Sequence, residues 1–306
     1  MEPNAAPRAA TAPPAGERRS IAALLAGASV ELSSRIPSEI DVCAGLLERG
    51  TAVYVSMPPG QTYHGTVTLA ARLARAGFRP VPHVAARRIA SREALDDYLG
   101  RAAGEAGVDQ ALVIGGDGDR ETGPFDSSLA LLKTGLFQKH GIVQVGVAGY
   151  PEAHPRIPPS SLDAALAAKK DLARSSGLQL QVVTQFCFEA EPVLSWLAKT
   201  KEHGLPVHVG LAGPASLPRL LRFAVLCGVG NSVRALKARP KAITRLMVEA
   251  GPEVIVRSLA AQAGAPIAGV HFFCFGGLIR TARWLRAVRD GRFELTEDGA
   301  FRVGPA

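Results

Sequence analysis

Short β-branched or apolar runs recur eight times along the chain at near-even intervals, and this beat constrains the fold more than any other feature. The runs are SVELSSR (29–35), AVYVSM (52–57), RPVPHVAAR (79–87), QALVIGGD (110–117), QVGVAGYP (144–151), LQVVTQFCF (the 179–188 region), PVHVGLAG (206–213) and AGVHFFCFG (268–276). Between them apolar residues return at spacings of three and four, as in Leu69, Leu73 and Ala76 or Leu129, Leu132 and Leu136, which predicts helices. Strand alternating with helix makes a parallel sheet. Eight such units in about 260 residues make an α/β chain that closes as a (β/α)8 TIM barrel. A doubly wound open sheet is the alternative, weakened because no G-x-G-x-x-G follows the first run.

The flanks and composition narrow the class. Residues 1–19 are rich in Ala and Pro without periodicity and are expected to be a disordered tail, leaving 20–306 as a single barrel domain. No apolar run reaches the ~18 residues of a spanning helix, and the first residues carry no signal-peptide core, so no membrane and a cytoplasmic location are expected. Cys43, Cys187, Cys227 and Cys274 show no C-x-x-C spacing, which points to core thiols rather than disulfides or a metal site. The formal net charge is +8, and no acidic residue occurs from His203 to Val248, where Arg219, Arg222, Arg234, Lys237, Arg239, Lys241 and Arg245 fall. Such a field attracts anions or simply solvates a surface. Nucleic acid ranks low as a partner, because no aromatic stacking series or recognised motif accompanies it.

In a barrel of this kind chemistry sits at the carboxyl ends of the strands. The polar residues expected there are Glu31, Ser56, His83, Asp117, Tyr150, His154, Gln185, His208 and His271. Any one of them is compatible with a satisfied core group or a loop cap. As a set they are harder to explain, because a buried unpaired polar group costs about 1–3 kcal/mol.

The motifs VELSSR, PHVAAR, VIGGDGD, GVAGYPEAHP, VVTQFCF and GVHFFCF, in this order and at these intervals, resemble methylenetetrahydrofolate reductase, a flavoprotein family with a (β/α)8 barrel. The most specific element is GYPEAHP followed by Asp163 and the Lys169-Lys170 pair. The resemblance implies an oxidoreductase using FAD, with NADH or NADPH as co-substrate, that interconverts 5,10-methylenetetrahydrofolate and 5-methyltetrahydrofolate. It implies Glu31 as general acid, Asp117 as charge stabiliser near flavin and folate, His83, Tyr150, His154, Asp163 and Lys170 as cofactor contacts, and Gln185 as a folate contact. No metal is implied. Direction stays open, including methyl oxidation in one-carbon catabolism, as does assembly into a homo-oligomer.

Physical readings stand beside these roles. Glu31 lies between Val30 and Leu32, so desolvation is expected to raise its pKa and keep it protonated; an ion-paired strand residue is the alternative. Asp117 would favour a cationic iminium, although GGDGDRETG is also good turn chemistry. Ser160 or Ser161 can cap a helix whose free amides face an anion, with Asp163 and Lys170 on nearly one face; the alternative is an exposed amphipathic helix. Tyr150 and His154 can stack on or bond to a flat cofactor.

The chain departs from the family at HVGLAGPASL, at CFGGL, at Gly115 where an arginine is associated, and at Leu166 where an asparagine is used. Those departures bear on nicotinamide docking, nucleotide preference and the tightness of FAD binding. Two rival classes remain: a barrel enzyme acting on a phosphorylated substrate, with GLAGPAS and CGVGNS as phosphate loops, and a non-catalytic folate-binding homologue.

Overall fold

Eight parallel strands pair in chain order and close on themselves in the computed structural model, which describes residues 15–33, 38–58, 60–116, 121–227, 229, 251–262 and 264–304. They are β1 (Ser29–Ser33), β2 (Ala52–Ser56), β3 (Arg79–Ala85), β4 (Gln110–Ile114), β5 (Gln144–Gly149), β6 (Gln179–Thr184), β7 (Val207–Ala212) and β8 (Ile267–Phe273). β8 returns to β1 through Ser29↔His271 and Val30↔Phe272. The fold is the (β/α)8 barrel that the alternation predicts, and closure excludes the open sheet.

Period two sorts the strand residues onto two faces. Val30, Val53, Val55, Val113, Val147, Val209, Val270 and Phe272 point outward into one continuous core shared with the helices. Tyr54, Val81, Leu112 and Val183 form a separate cluster within the ring.

The helices are α1 (Ala15–Leu25), α2 (Glu39–Cys43), α3 (Tyr63–Arg75), α4 (Arg92–Ala106), α5 (Ser128–Leu132), α6 (Leu136–Lys139), α7 (Pro159–Ser176), α8 (Ala190–Thr200), α9 (Leu217–Leu226), α10 (Glu253–Ala260) and α11 (Leu278–Arg289). An antiparallel hairpin of β9 (Phe293–Leu295) and β10 (Phe301–Val303) follows. α4 shows how local sequence sets an element. The Ser91 hydroxyl accepts from the Ala94 N–H at 3.2 Å, and Gly107 at φ +62° stops the far end. None of the described helices is long and apolar enough to cross a membrane.

Three expectations change. α1 begins at Ala15, so residues 15–19 are helical rather than tail, and Glu17 is held by Arg257 at 2.6 Å; residues 1–14 lie outside the described part. The single helix expected over Leu129–Leu136 is two, α5 and α6, because Gly135 turns the chain at φ +72°. α7 starts at Pro159 after Pro158, so Ser160 and Ser161 sit inside its first turn and no side chain caps it.

Candidate active site

A carboxylate between two imidazoles occupies the inside of the ring. Glu31 Oε2 on β1 is 3.7 Å from His271 Nε2 on β8 and 3.8 Å from His83 Nε2 on β3. β3 is not a neighbour of β1, so a side chain reaching both histidines must cross the interior. His271 is fully buried; its Nδ1 lies 2.9 Å from Ser29 Oγ, and its ring packs 4.4 Å, centroid to centroid, from Tyr54. The Tyr54 hydroxyl in turn accepts from the Gln110 and Gln181 amides at 3.3 and 3.4 Å.

This setting corrects the expectation for Glu31. Burial pushes its pKa up, but the His271 ring, the charge of His83 and the Ser56 hydroxyl together outweigh burial, and the carboxyl is held below its ordinary value. The flanking Val30 and Leu32 face the helices and do not surround the carboxyl. Even so, Glu31 Oε2 and His271 Nε2 are buried polar atoms with no hydrogen-bond partner among the described residues.

At the end of β5, Tyr150 and His154 meet edge to face at 4.9 Å and 86°, brought together by Ala153 at φ +68°. That conformation is rare for a residue with a Cβ and stores local strain. His154 Nδ1 accepts from the Arg156 N–H at 3.1 Å. Burial, then Arg156 and Arg87, pull the His154 pKa down, so the ring is neutral beside two guanidinium groups. The sequence offered His154 as a cofactor contact and missed these arginines.

Gln185 follows β6. Its N–H bonds the Gly149 carbonyl at 2.8 Å, its Oε1 accepts from the Phe186 N–H at 3.1 Å, and it lines a cavity with Tyr150, Glu152 and Cys187. Gly210 lets β7 approach this turn, since a Cβ there would sit 2.2 Å from the Thr184 carbonyl oxygen. Further out on α7, Asp163 is exposed and Lys170 donates to the Glu202 carbonyl at 3.1 Å. The adjacent Lys169 is the cation whose pKa burial lowers. Leu166 is buried in the core.

Asp117 lies outside the described residues, as do Arg234, Lys237, Arg239, Lys241, Arg245 and most of CGVGNS. Arg219 and Arg222 lie on α9, where Arg219 bonds the Phe275 carbonyl at 3.2 Å. His208 is the second residue of β7, at the amino end of the barrel rather than among the carboxyl-end residues expected. Among the described residues no group of three or more His, Cys, Asp or Glu is placed to hold a metal ion.

A family model for methylenetetrahydrofolate reductase matches residues 44–276, most of the barrel. The chain belongs to the methylenetetrahydrofolate reductase family. It is 28% identical over 160 residues to the 5,10-methylenetetrahydrofolate reductase of Pectobacterium carotovorum subsp. carotovorum. That stretch covers 51% of this chain and 50% of the relative, so the match spans about half the length of each. Among solved structures, a conserved protein of unknown function from Enterococcus faecalis gives a TM-score of 0.47 at 10% identity, over 86% of this chain and 65% of that one. Dihydropteroate synthase from Thermus thermophilus gives 0.43 at 16% identity, over 86% and 92%. Likeness at that level says nothing about the site. For this methylenetetrahydrofolate reductase family chain, β1 lies before the matched stretch. The place of Glu31 in the site therefore rests on barrel closure, which sets it against His83 and His271 inside the match.

Proposed function

We propose that the protein is a flavin-dependent oxidoreductase that interconverts 5,10-methylenetetrahydrofolate and 5-methyltetrahydrofolate with a nicotinamide nucleotide as the redox partner, one barrel domain holding the flavin while nucleotide and folate reach it in turn. The observation that carries this reading is the Glu31 carboxylate, buried inside a barrel of this family with one oxygen unpartnered and two imidazoles beside it. Opening the methylene bridge requires a proton on a folate nitrogen before hydride can be accepted, and this cluster holds the groups for that transfer.

Because Glu31 is held ionised in the ligand-free site, its working proton has to come from the neighbouring imidazoles. His271 presents Nε2 to the carboxylate while Ser29 fixes Nδ1, so its ring orientation is set before substrate arrives. Gln185, at the end of β6, is the proposed orienter of the pterin, and Asp117 remains the proposed charge stabiliser.

The residues suit FAD by their chemistry. His83 and Tyr150 supply rings and donors at the ends of β3 and β5, the Arg87 and Arg156 side chains bring positive charge around a neutral His154, and α7 carries Asp163, Lys169 and Lys170. When bound, FAD supplies the two-electron carrier between nucleotide and folate.

An absorbance spectrum of the purified protein tests the reading. A flavin spectrum is expected, bleached anaerobically by NADH or NADPH and restored by methylenetetrahydrofolate; flavin reduction by methyltetrahydrofolate would identify the oxidative direction. A colourless protein that takes up no flavin and ignores folates would favour a phosphorylated substrate instead. Folate binding without flavin reduction would favour a non-catalytic homologue.

A further inference from the structure

Barrels of this class fill their interior with layers of branched aliphatic side chains. Here a polar column takes their place in part, formed by Tyr54, Gln110, Gln181, Ser29, His271 and Glu31, and one more imidazole belongs to it. His208 registers with Val183 on β6 and with Gly269 on β8. Val183 packs inside the ring with Tyr54 and Leu112, so His208 faces the same interior. Gly269 makes room for it, since a Cβ at that position would lie 2.8 Å from His208 Nδ1. Two residues further along, Gly210 registers with His271. The two histidines are therefore diagonal neighbours on one face of adjacent parallel strands, and a strand spacing of about 4.8 Å with a rise of about 3.3 Å per residue sets their backbones about 8 Å apart. Two rings, or two rings and a water, span that gap. His271 is fully buried, whereas His208 is partly exposed and stands at the amino end of β7.

We propose that His208 is the solvent-side station of a proton path that enters at the amino end of the barrel and reaches Glu31 through His271. The inference rests on the folate-reducing function proposed above. Each reduction consumes one proton: the Glu31 O–H bond breaks as a folate N–H bond forms. The carboxylate regains a proton from His271 Nε2, His271 regains one from the His208 imidazolium, and His208 takes one from water. A path from the amino end is useful because substrate and cofactor cover the carboxyl end, where the loops converge. Val183 and Gly269 stand in register with His208, and His271 is the titratable group whose charge acts on it, with Glu31 beyond. Burial and the charge of His271 both lower the His208 pKa, in keeping with that proximity.

Half-reaction kinetics of variants and an NMR titration test the path. His208→Gln removes the proton carrier, and Gly269→Ala keeps the imidazole but displaces it. In both, nucleotide-driven flavin reduction is expected to stay as in the parent protein. The folate half-reaction is expected to slow at least about tenfold, with a larger solvent isotope effect and a shifted pH profile; free imidazole is expected to rescue His208→Ala. Equal loss in both half-reactions, or no loss in either, overturns the path. A second measurement needs no turnover. In the ligand-free protein, NMR titration of the His208 ring is expected to move upward when His271→Asn removes the neighbouring charge, and an unmoved titration overturns the path even if the protein proves to act on another substrate.

Discussion

Glu31 presents a conflict between its charge state and the acid role proposed for it. Its folded pKa lies below the ordinary carboxylate value, so its interactions with His271, His83 and Ser56 stabilise the fold above that range, and this contribution is lost as pH falls through it. The same preference for the charged form makes it a poor store for a proton at neutral pH, and the adjacent imidazoles become the store. The folate half-reaction is therefore expected to slow as pH rises and His208, whose pKa is lowered by burial and by His271, loses the proton it would relay, while nucleotide-driven flavin reduction changes less. Glu31→Gln is expected to leave flavin reduction near the parent rate and to slow folate turnover by about 100-fold or more. Stopped-flow absorbance separates the two half-reactions, and equal damage to both would remove Glu31 from the acid role. The sequence placed this residue correctly on its strand but misjudged its charge state. Val30 and Leu32 are its neighbours in the chain, whereas its neighbours in space are brought from β3 and β8 by ring closure, which no local pattern encodes.

At the level of elements, the strands were the most legible part, because period-two burial and short β-branched runs are local properties. Helix boundaries were less so. Leu129, Leu132 and Leu136 keep helical spacing across Gly135, yet the positive φ at that glycine ends one helix and starts another. α1 was hidden for a different reason. It is held by long-range contacts that composition does not reveal: the Arg257 guanidinium on α10 pairs with Glu17 and also donates to the Thr296 and Ala300 carbonyls beside β9 and β10. Arg18 adds a bond to the Gly291 carbonyl at 2.6 Å and lies 4.6 Å above the Phe293 ring. One side chain thus joins the segment before the barrel to the hairpin after it. Arg257→Ala is expected to destabilise the protein by about 2–3 kcal/mol, since it leaves a partly buried carboxylate and the Thr296 carbonyl without the guanidinium and the Ala300 carbonyl with the Thr296 N–H alone. Thermal unfolding would show this as a lower Tm. Arg257→Lys is expected to recover only part of the loss, because an ammonium cannot reproduce the planar fork. An unchanged Tm in Arg257→Ala would mean that α1 and the hairpin are held by their apolar contacts alone.

For the whole molecule, the strength of the ring is uneven around its circumference. β5 and β6 register continuously from Gln144↔Gln179 to Gly149↔Thr184, and β7 and β8 from His208↔Gly269 to Ala212↔Phe273. Among the described residues β8 meets β1 at Ser29↔His271 and Val30↔Phe272, and β6 meets β7 at Val182↔Val207 and Val183↔His208, beside an irregular register at Val207/His208. The short seams border the residues of the proposed site: Ser29, Glu31 and His271 at one, His208 at the other. Local opening follows the least paired backbone, so amides of β1 are expected to exchange with solvent sooner than those of β5 and β6. A ligand that engages Glu31 and Gln185 bridges β1 to the end of β6 across the ring and should close the gap in protection. Hydrogen exchange followed by mass spectrometry, with and without folate, measures both effects. Slower exchange in β1 on adding folate, with little change in β5, is the expected result. Protection confined to the outer helices would place folate away from the interior and remove Glu31 from its contact set.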